Sequence, residues 1–186
     1  MNHLYCYKMT WDTEFAPNPH QNVLTLATCK PTIRRCAQVG DWISGWTAVV
    51  VKDKYHKSCF FRDCAKLIYL ARVTEKVKYD AYWRDFPNKR PEECESGDNI
   101  YEPIGDDFCQ HDNAGKHGEK DKIHDLKGQF VLVCKEFYYF GVHDAISIDW
   151  DIFPYKVPRC KKITEEDGKK FIDFVQNNKK QAIFSR

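Results

Sequence analysis

Gly40-Asp-Trp-Ile-Ser-Gly-Trp-Thr-Ala-Val-Val-Val-Lys52 is the stretch on which the fold turns. Glycine permits positive φ and aspartate bonds back to its own backbone, so Gly-Asp opens the run as a turn. The residues after that turn are dense in Trp, Ile and Val and read as a long strand or a hairpin. Outward from it, strand-like runs recur at His3 to Met9, Val23 to Cys29, Leu67 to Thr74, Gln129 to Lys135, Phe137 to Gly141 and Ala145 to Trp150. Tyr79 to Asp85 reads as one or two helical turns carrying Tyr82 and Trp83, ended by the Pro87 to Pro91 segment. Thr164, three residues before Asp167, resembles a capping box; Phe171, Phe174, Val175 and Asn178 then share one helical face, with Lys169, Lys170, Asp173 and Gln176 largely on the others. The pattern predicts an α+β domain, mostly antiparallel β, with a few short helices and a C-terminal helix. Residues 1–150 form the domain in this reading, and 151–186 a tail whose helix packs on it.

A chain of 186 residues suffices for one domain with a proper core. Aromatic residues make up 15%, more than aliphatic packing needs, so rings supply core and a stacking surface. Lys plus Arg number 29 and Asp plus Glu 27, a balance that excludes the global basic field of a duplex-coating protein. The nine cysteines include no C-x-x-C pair, and the N terminus has no signal-peptide pattern. Reduced thiols in a soluble, cytoplasmic protein are therefore expected. No run reaches the roughly 18 apolar residues of a membrane span.

Turn-rich blocks sit beside the strands: Glu14 to Pro19, Cys29 to Arg35, Gly40 to Trp42 and Gly97 to Pro103. Loops held by a rigid sheet are where binding residues concentrate, so these blocks predict the rim of a small-ligand pocket. Tyr7, Trp42, Trp83 and Tyr101 are the candidate stacking rings. Asp12, Phe15 and Asn18 form a stiff proline-bounded segment, and Asn18, Asp98 and Asn99 are candidates for reading a hydrogen-bonding edge. Lys30, Arg34 and Arg35 are a candidate phosphate clamp, against the alternative of a solvated basic face. Each block also reads as an ordinary turn.

Asp106 to Asp125 is polar, with almost nothing apolar, and reads as a long mobile loop. Its Cys109, His111, His117 and His124 lack the tight pair spacing of zinc sites, so no metal and no cofactor is expected. None of the cysteines has a neighbouring cue that marks an activated thiolate, and G-x-S-x-G, Walker and G-x-G-x-x-G motifs are missing.

Read in order, Phe15-Ala-Pro-Asn-Pro19, Cys29-Lys-Pro31 with Ile33-Arg-Arg35, Gly40-Asp-Trp42, Tyr82-Trp83-x-Asp85, Lys89-Arg-Pro91, Gly97-Asp-Asn-Ile-Tyr101, Gly128-x-Phe-Val-Leu132 and Phe137-x-Tyr-Phe-Gly141 resemble the nucleotide modification associated domain 2 family over about residues 3 to 150. Members of that family are proposed to recognise or process modified bases or nucleotides in bacteria and phages. The Asp53 to Lys66 connection departs from the family's short turn, and the stretch from Asp151 carries a different tail. A PUA-like barrel also fits the strand count and the aromatic loops.

The resemblance implies recognition of a modified base or nucleotide through an aromatic, loop-built pocket, with the base free, single-stranded or flipped out of DNA. One alternative is an enzyme acting on a nucleotide or glycosidic bond with Asp12, Asp41, Asp98 or Glu102 as acid or base. Another is an interaction module that meets a protein partner in a phage or defence system.

Overall fold

In chain order the elements are β1 (His3–Asp12), β2 (Leu24–Leu26), α1 (Pro31–Cys36), β3 (Trp42–Asp53), β4 (Ser58–Phe60), β5 (Leu67–Arg72), β6 (Glu75–Lys78), α2 (Tyr79–Asp85), β7 (Tyr101–Ile104), β8 (Asp107–Gln110), α3 (Glu119–Leu126), β9 (Phe130–Cys134), β10 (Glu136–Tyr139), β11 (Cys160–Thr164) and α4 (Glu165–Asn178). The structure, a computed structural model, describes residues 2–62, 64–157 and 160–178.

The Trp42–Asp53 strand is the spine of the larger sheet, ordered β10-β5-β3-β1-β11, with β4 folding back on the far end of β3. It pairs parallel with β1 and antiparallel with β5 and β4. A second, antiparallel sheet runs β2-β9-β6, and β7 with β8 forms a separate hairpin. All the other pairings are antiparallel, so the fold is α+β and mostly antiparallel, with short helices and a C-terminal helix. The larger sheet is open: β10 and β11 are its opposite ends, and no barrel closes among the described residues. A PUA-like barrel is thereby corrected to stacked open sheets.

Strand alternation explains the stacking. Along β1, Tyr5, Tyr7 and Met9 face the second sheet, where Leu24, Leu26, Leu132 and Cys134 meet them, while Leu4 and Cys6 face the other way. On that opposite face Trp42, Trp46 and Leu70 pack against Phe171, Ile172 and Val175 of α4. The far side of the second sheet, Val131 and Val133, is covered by Tyr79 and Tyr82 of α2 and by Tyr101. Gly45 leaves room for its neighbours' side chains in the inter-sheet core: a Cβ there would lie 2.3 Å from Tyr69 Cε1 and 2.4 Å from Met9 Sδ.

Thr164 caps α4 as its sequence predicts: its Oγ1 accepts the Asp167 backbone N–H at 3.1 Å and donates to Asp167 Oδ2 at 2.7 Å. Two stretches differ from expectation. Ala145 to Trp150 is not a strand; only Ile146 pairs with Leu67, and Ile148 packs as part of a cover over the sheet face. Residues 106 to 125 are not a structureless loop, because β8 and α3 occupy most of them. Gly118 starts α3 with its N–H bonded to Asp121 Oδ2 at 3.0 Å, and Glu119 and Asp121 complement the positive end of the helix. No helix among the described residues is long and apolar enough to cross a membrane.

Candidate functional site

Between β2 and α1 the chain makes an elbow in which consecutive residues, Cys29 at φ 57° and Lys30 at φ 40°, take left-handed conformations. Each costs a non-glycine residue about 1–2 kcal/mol, so the surroundings must hold the turn in place. They do: the Cys29 N–H donates to Asp125 Oδ1 at 2.6 Å, and Arg34 Nε donates to the Cys29 carbonyl at 2.6 Å. Pro31 then opens α1 with its fixed φ.

Arg34 is fully buried and spends its remaining donors on the Tyr79 hydroxyl, the Asp125 carbonyl at 2.6 Å and the Phe130 carbonyl at 2.9 Å. Gly128 makes room for it, since a Cβ there would lie 2.4 Å from Arg34 Nη1. One buried guanidinium thus ties the elbow to the end of α3.

The elbow forms the floor of a cavity of about 410 Å³ walled by Tyr7, Trp11, Phe15 and the 114–117 segment. That volume falls within the rough 300–1,000 Å³ range of small-molecule sites. Lys30 and Lys116 line it against one acidic side chain, Asp121, which gives it an overall positive lining. The Lys30 ammonium lies 4.7 Å from the centre of the Tyr7 ring. Trp11, 43% exposed, stands at the mouth with His56 edge-on to its ring at 5.4 Å and Lys52 at 4.7 Å.

Cys29 and His117 line the cavity, and buried Asp125 continues the series behind them. Asp125 Oδ2 is 2.7 Å from His117 Nδ1, and His117 Nε2 is 3.7 Å from Cys29 Sγ. The same Oδ2 accepts the Tyr101 hydroxyl at 2.9 Å. His117 is fixed by its main chain: its N–H donates to Asn113 Oδ1 at 2.9 Å and its carbonyl accepts from Gln110 Nε2 at 2.7 Å. Phe15 packs edge-on to the imidazole at 5.1 Å, and Gly115 lets the segment lie against that ring, where a Cβ would come within 2.3 Å. Burial works against protonation of the imidazole, but the hydrogen bonds with Asp125 and Cys29 outweigh it and raise His117 to about 10.

Thiolate, imidazole and carboxylate are also zinc-ligand types. The carboxylate and the thiol face opposite ring nitrogens, while one donor atom from each of the three residues lies within 4.8 Å of the others.

Of the residues singled out in the sequence, Tyr7, Phe15 and Lys30 line this cavity. Arg34 and Tyr101 buttress it from behind through Asp125. Arg35 is exposed on α1, away from the cavity lining. Asp12 is buried, accepting the Tyr139 hydroxyl and the Val142 N–H at 2.7 Å. Asn18 is bonded to the Glu14 and Ser96 carbonyls at 3.0 and 2.7 Å and accepts from Lys89 Nζ at 2.7 Å.

Trp42 lies on the opposite face of the larger sheet, its indole N–H on Glu165 Oε1 at 3.1 Å. Trp83 carries the Arg90 guanidinium over its ring at 4.1 Å and meets the His111 ring, tilted, at 4.9 Å. Asp98 accepts the Thr25 and Tyr82 hydroxyls at 2.8 and 2.6 Å, and Asn99 bonds the Tyr82 and Phe86 carbonyls at the end of α2, both at 3.0 Å. Asp41 holds a turn through the His3 and Gln38 N–H groups at 2.7 and 2.8 Å, and Glu102 pairs with His111 at 2.9 Å.

Sequence reasoning missed Trp11 and Asp125, weighed His117 only as one of four loosely spaced metal-ligand candidates, and read Cys29 only as part of a loop block. Cys29 and Asp125 are far apart in the chain, and His117 and Asp125 sit in the stretch read as a loop. The one local signal is Cys-Lys-Pro at the foot of a strand, a tight turn into a helix.

No curated protein and no solved structure matches the chain. The sequence model for nucleotide modification associated domain 2 matches residues 1–185, essentially the whole chain and so beyond the stretch that carried the resemblance, and the protein belongs to that family.

Proposed function

We propose that the protein binds a modified base or nucleotide in the cavity above the Cys29-Lys30 elbow. The observation that carries this reading is the lining itself: aromatic walls at Tyr7, Trp11 and Phe15 beside the cations Lys30 and Lys116, in a nucleotide-modification family. A flat ring stacks on such walls, and a phosphate is drawn to such cations.

The β3–β4 hairpin extends the same chemistry outward. Its tip exposes Lys52, Lys54, Tyr55 and Lys57, and His56 lines both the cavity and the adjoining cleft. A strand carrying a flipped or unpaired base fits this path. None of Asp12, Asp41, Asp98 and Glu102 lines the cavity, so carboxylate acid–base catalysis draws no support from its geometry.

Calorimetric titration with nucleosides and nucleoside monophosphates, ordinary and modified, tests the reading. Lys30→Ala is expected to weaken monophosphate binding roughly 10-fold or more while sparing the nucleoside, from the ~1.5–3 kcal/mol of a charge-assisted hydrogen bond. Affinities unchanged by both Lys30→Ala and Trp11→Ala would remove the cavity as the site.

A further inference from the structure

The geometry points to Cys29 as the nucleophile of a Cys–His–Asp triad that cleaves an amide or ester carried by the cavity's ligand. The inference rests on the reading that a ligand enters this cavity. Four observations carry it. The thiol lines the cavity, whereas Cys6 and Cys134 are sealed in the core. The thiol faces one nitrogen of His117 and the carboxylate of Asp125 holds the other, which is the order in which an imidazole holds a nucleophile's proton while a third group fixes its orientation. Asp125 is itself oriented by Tyr101 and by the Cys29 N–H. Finally, the elbow is held in a strained conformation by the same two residues, Asp125 and Arg34, that fix the triad.

The balanced chemistry needs only water. His117, which stays protonated up to about pH 10, already holds the proton at Nε2 as Cys29 Sγ forms a bond to the carbonyl carbon. The bond from that carbon to nitrogen or oxygen breaks, and His117 delivers the proton to the departing amine or alcohol. A water molecule, deprotonated by His117, then attacks the thioester; the C–S bond breaks and the pair returns to its starting state with that proton on His117. The sum is one amide or ester plus water giving a carboxylic acid and an amine or alcohol, with no oxidation or reduction. A 3.7 Å separation between Sγ and Nε2 is compatible with such a pair before substrate draws it together.

The test uses p-nitrophenyl acetate on the intact protein, acid-quenched within the first turnover so that the acetyl group is caught before water removes it, with peptide mass spectrometry to locate it and exposed Cys36, Cys64 and Cys109 as internal references. The expected result is acetylation of Cys29 at least 10-fold faster than of the reference cysteines. In His117→Gln, checked for folding by circular dichroism, that rate is expected to fall to the reference level. Acetylation no faster than at the references, or a Cys29 rate unchanged by His117→Gln, overturns the assignment.

Nucleotide titration of the same wild-type sample separates the two claims. Fast acetylation of Cys29 without nucleotide binding supports the thiol chemistry and removes the binding reading. Binding without fast acetylation overturns the thiol chemistry and leaves the binding reading in place.

Discussion

Arg34→Met distinguishes a phosphate clamp from an internal strut. The guanidinium is fully buried and donates to the carbonyls of Cys29, Asp125 and Phe130, with the Asp125 carboxylate 3.9 Å away. Methionine conserves much of the volume but leaves these acceptors facing apolar surface. Each unsatisfied buried polar group costs about 1–3 kcal/mol, and breaking a buried ion pair by removing one partner costs roughly 3–5 kcal/mol. These overlap at Asp125 and are not additive, so the expected loss is about 3–5 kcal/mol. At about 2–4 °C per kcal/mol for a domain of this size, the melting temperature should fall by roughly 6–20 °C. Urea unfolding followed by tryptophan fluorescence measures the loss directly through the midpoint. A loss below about 1 kcal/mol would refute the strut. A stable variant with weakened monophosphate binding would instead make Arg34 a ligand contact.

Two further predictions concern pH. His117 is raised in the fold from its ordinary 6.5 to about 10, so its contribution is fully present below pH 6.5 and is lost as pH rises through 10; the urea midpoint of wild type minus that of His117→Gln should shrink across this window. An unchanging difference would deny that the imidazole gains from Asp125 and Cys29. Lys89 has the opposite sign: burial lowers it from 10.5 to about 8, although its ammonium bonds the carbonyls of Asn18, His20 and Val23 at 3.2, 2.6 and 2.7 Å. The unfolded chain therefore binds more protons between pH 8 and 10.5, and wild type should gain stability relative to Lys89→Met as pH rises through that range. A third prediction concerns packing: Gly45→Ala should cost about 1–3 kcal/mol by forcing Tyr69 or Met9 aside, measured by urea unfolding, and a neutral effect would mean that these side chains can shift without loss.

The central strands were legible because burial is written into their composition. β3, β5 and β9 are dense in branched and aromatic residues, and the seven residues of α2 announce their end through Pro87. The edges were not. β4 is three residues with two exposed, β7 contains Pro103, and β8 and α3 are polar segments whose order comes from contacts elsewhere.

The site divides the same way. Tyr7, Phe15 and Lys30 sit in or beside recognisable strands and turns, whereas the Cys29–His117–Asp125 series joins a turn to a polar segment far along the chain. Nothing local marks such a set. Asn18, Asp98 and Asn99 look like ligand-reading polar groups in sequence, yet each is occupied by buried backbone or hydroxyl partners. A glycine- or proline-framed loop and a buried polar strut have the same composition, and only three-dimensional pairing separates them.

The central claim is that the cavity above the elbow receives the base or nucleotide with its reactive carbon against Cys29. A crystal structure of Cys29→Ser soaked with the tightest-binding nucleotide of the titration series tests it most directly. The expected result is a ring held between Tyr7, Trp11 and Phe15, with an amide or ester carbon roughly 3–3.5 Å from the residue 29 side-chain oxygen. A ligand held outside the cavity, or one that turns no carbonyl toward residue 29, would contradict it.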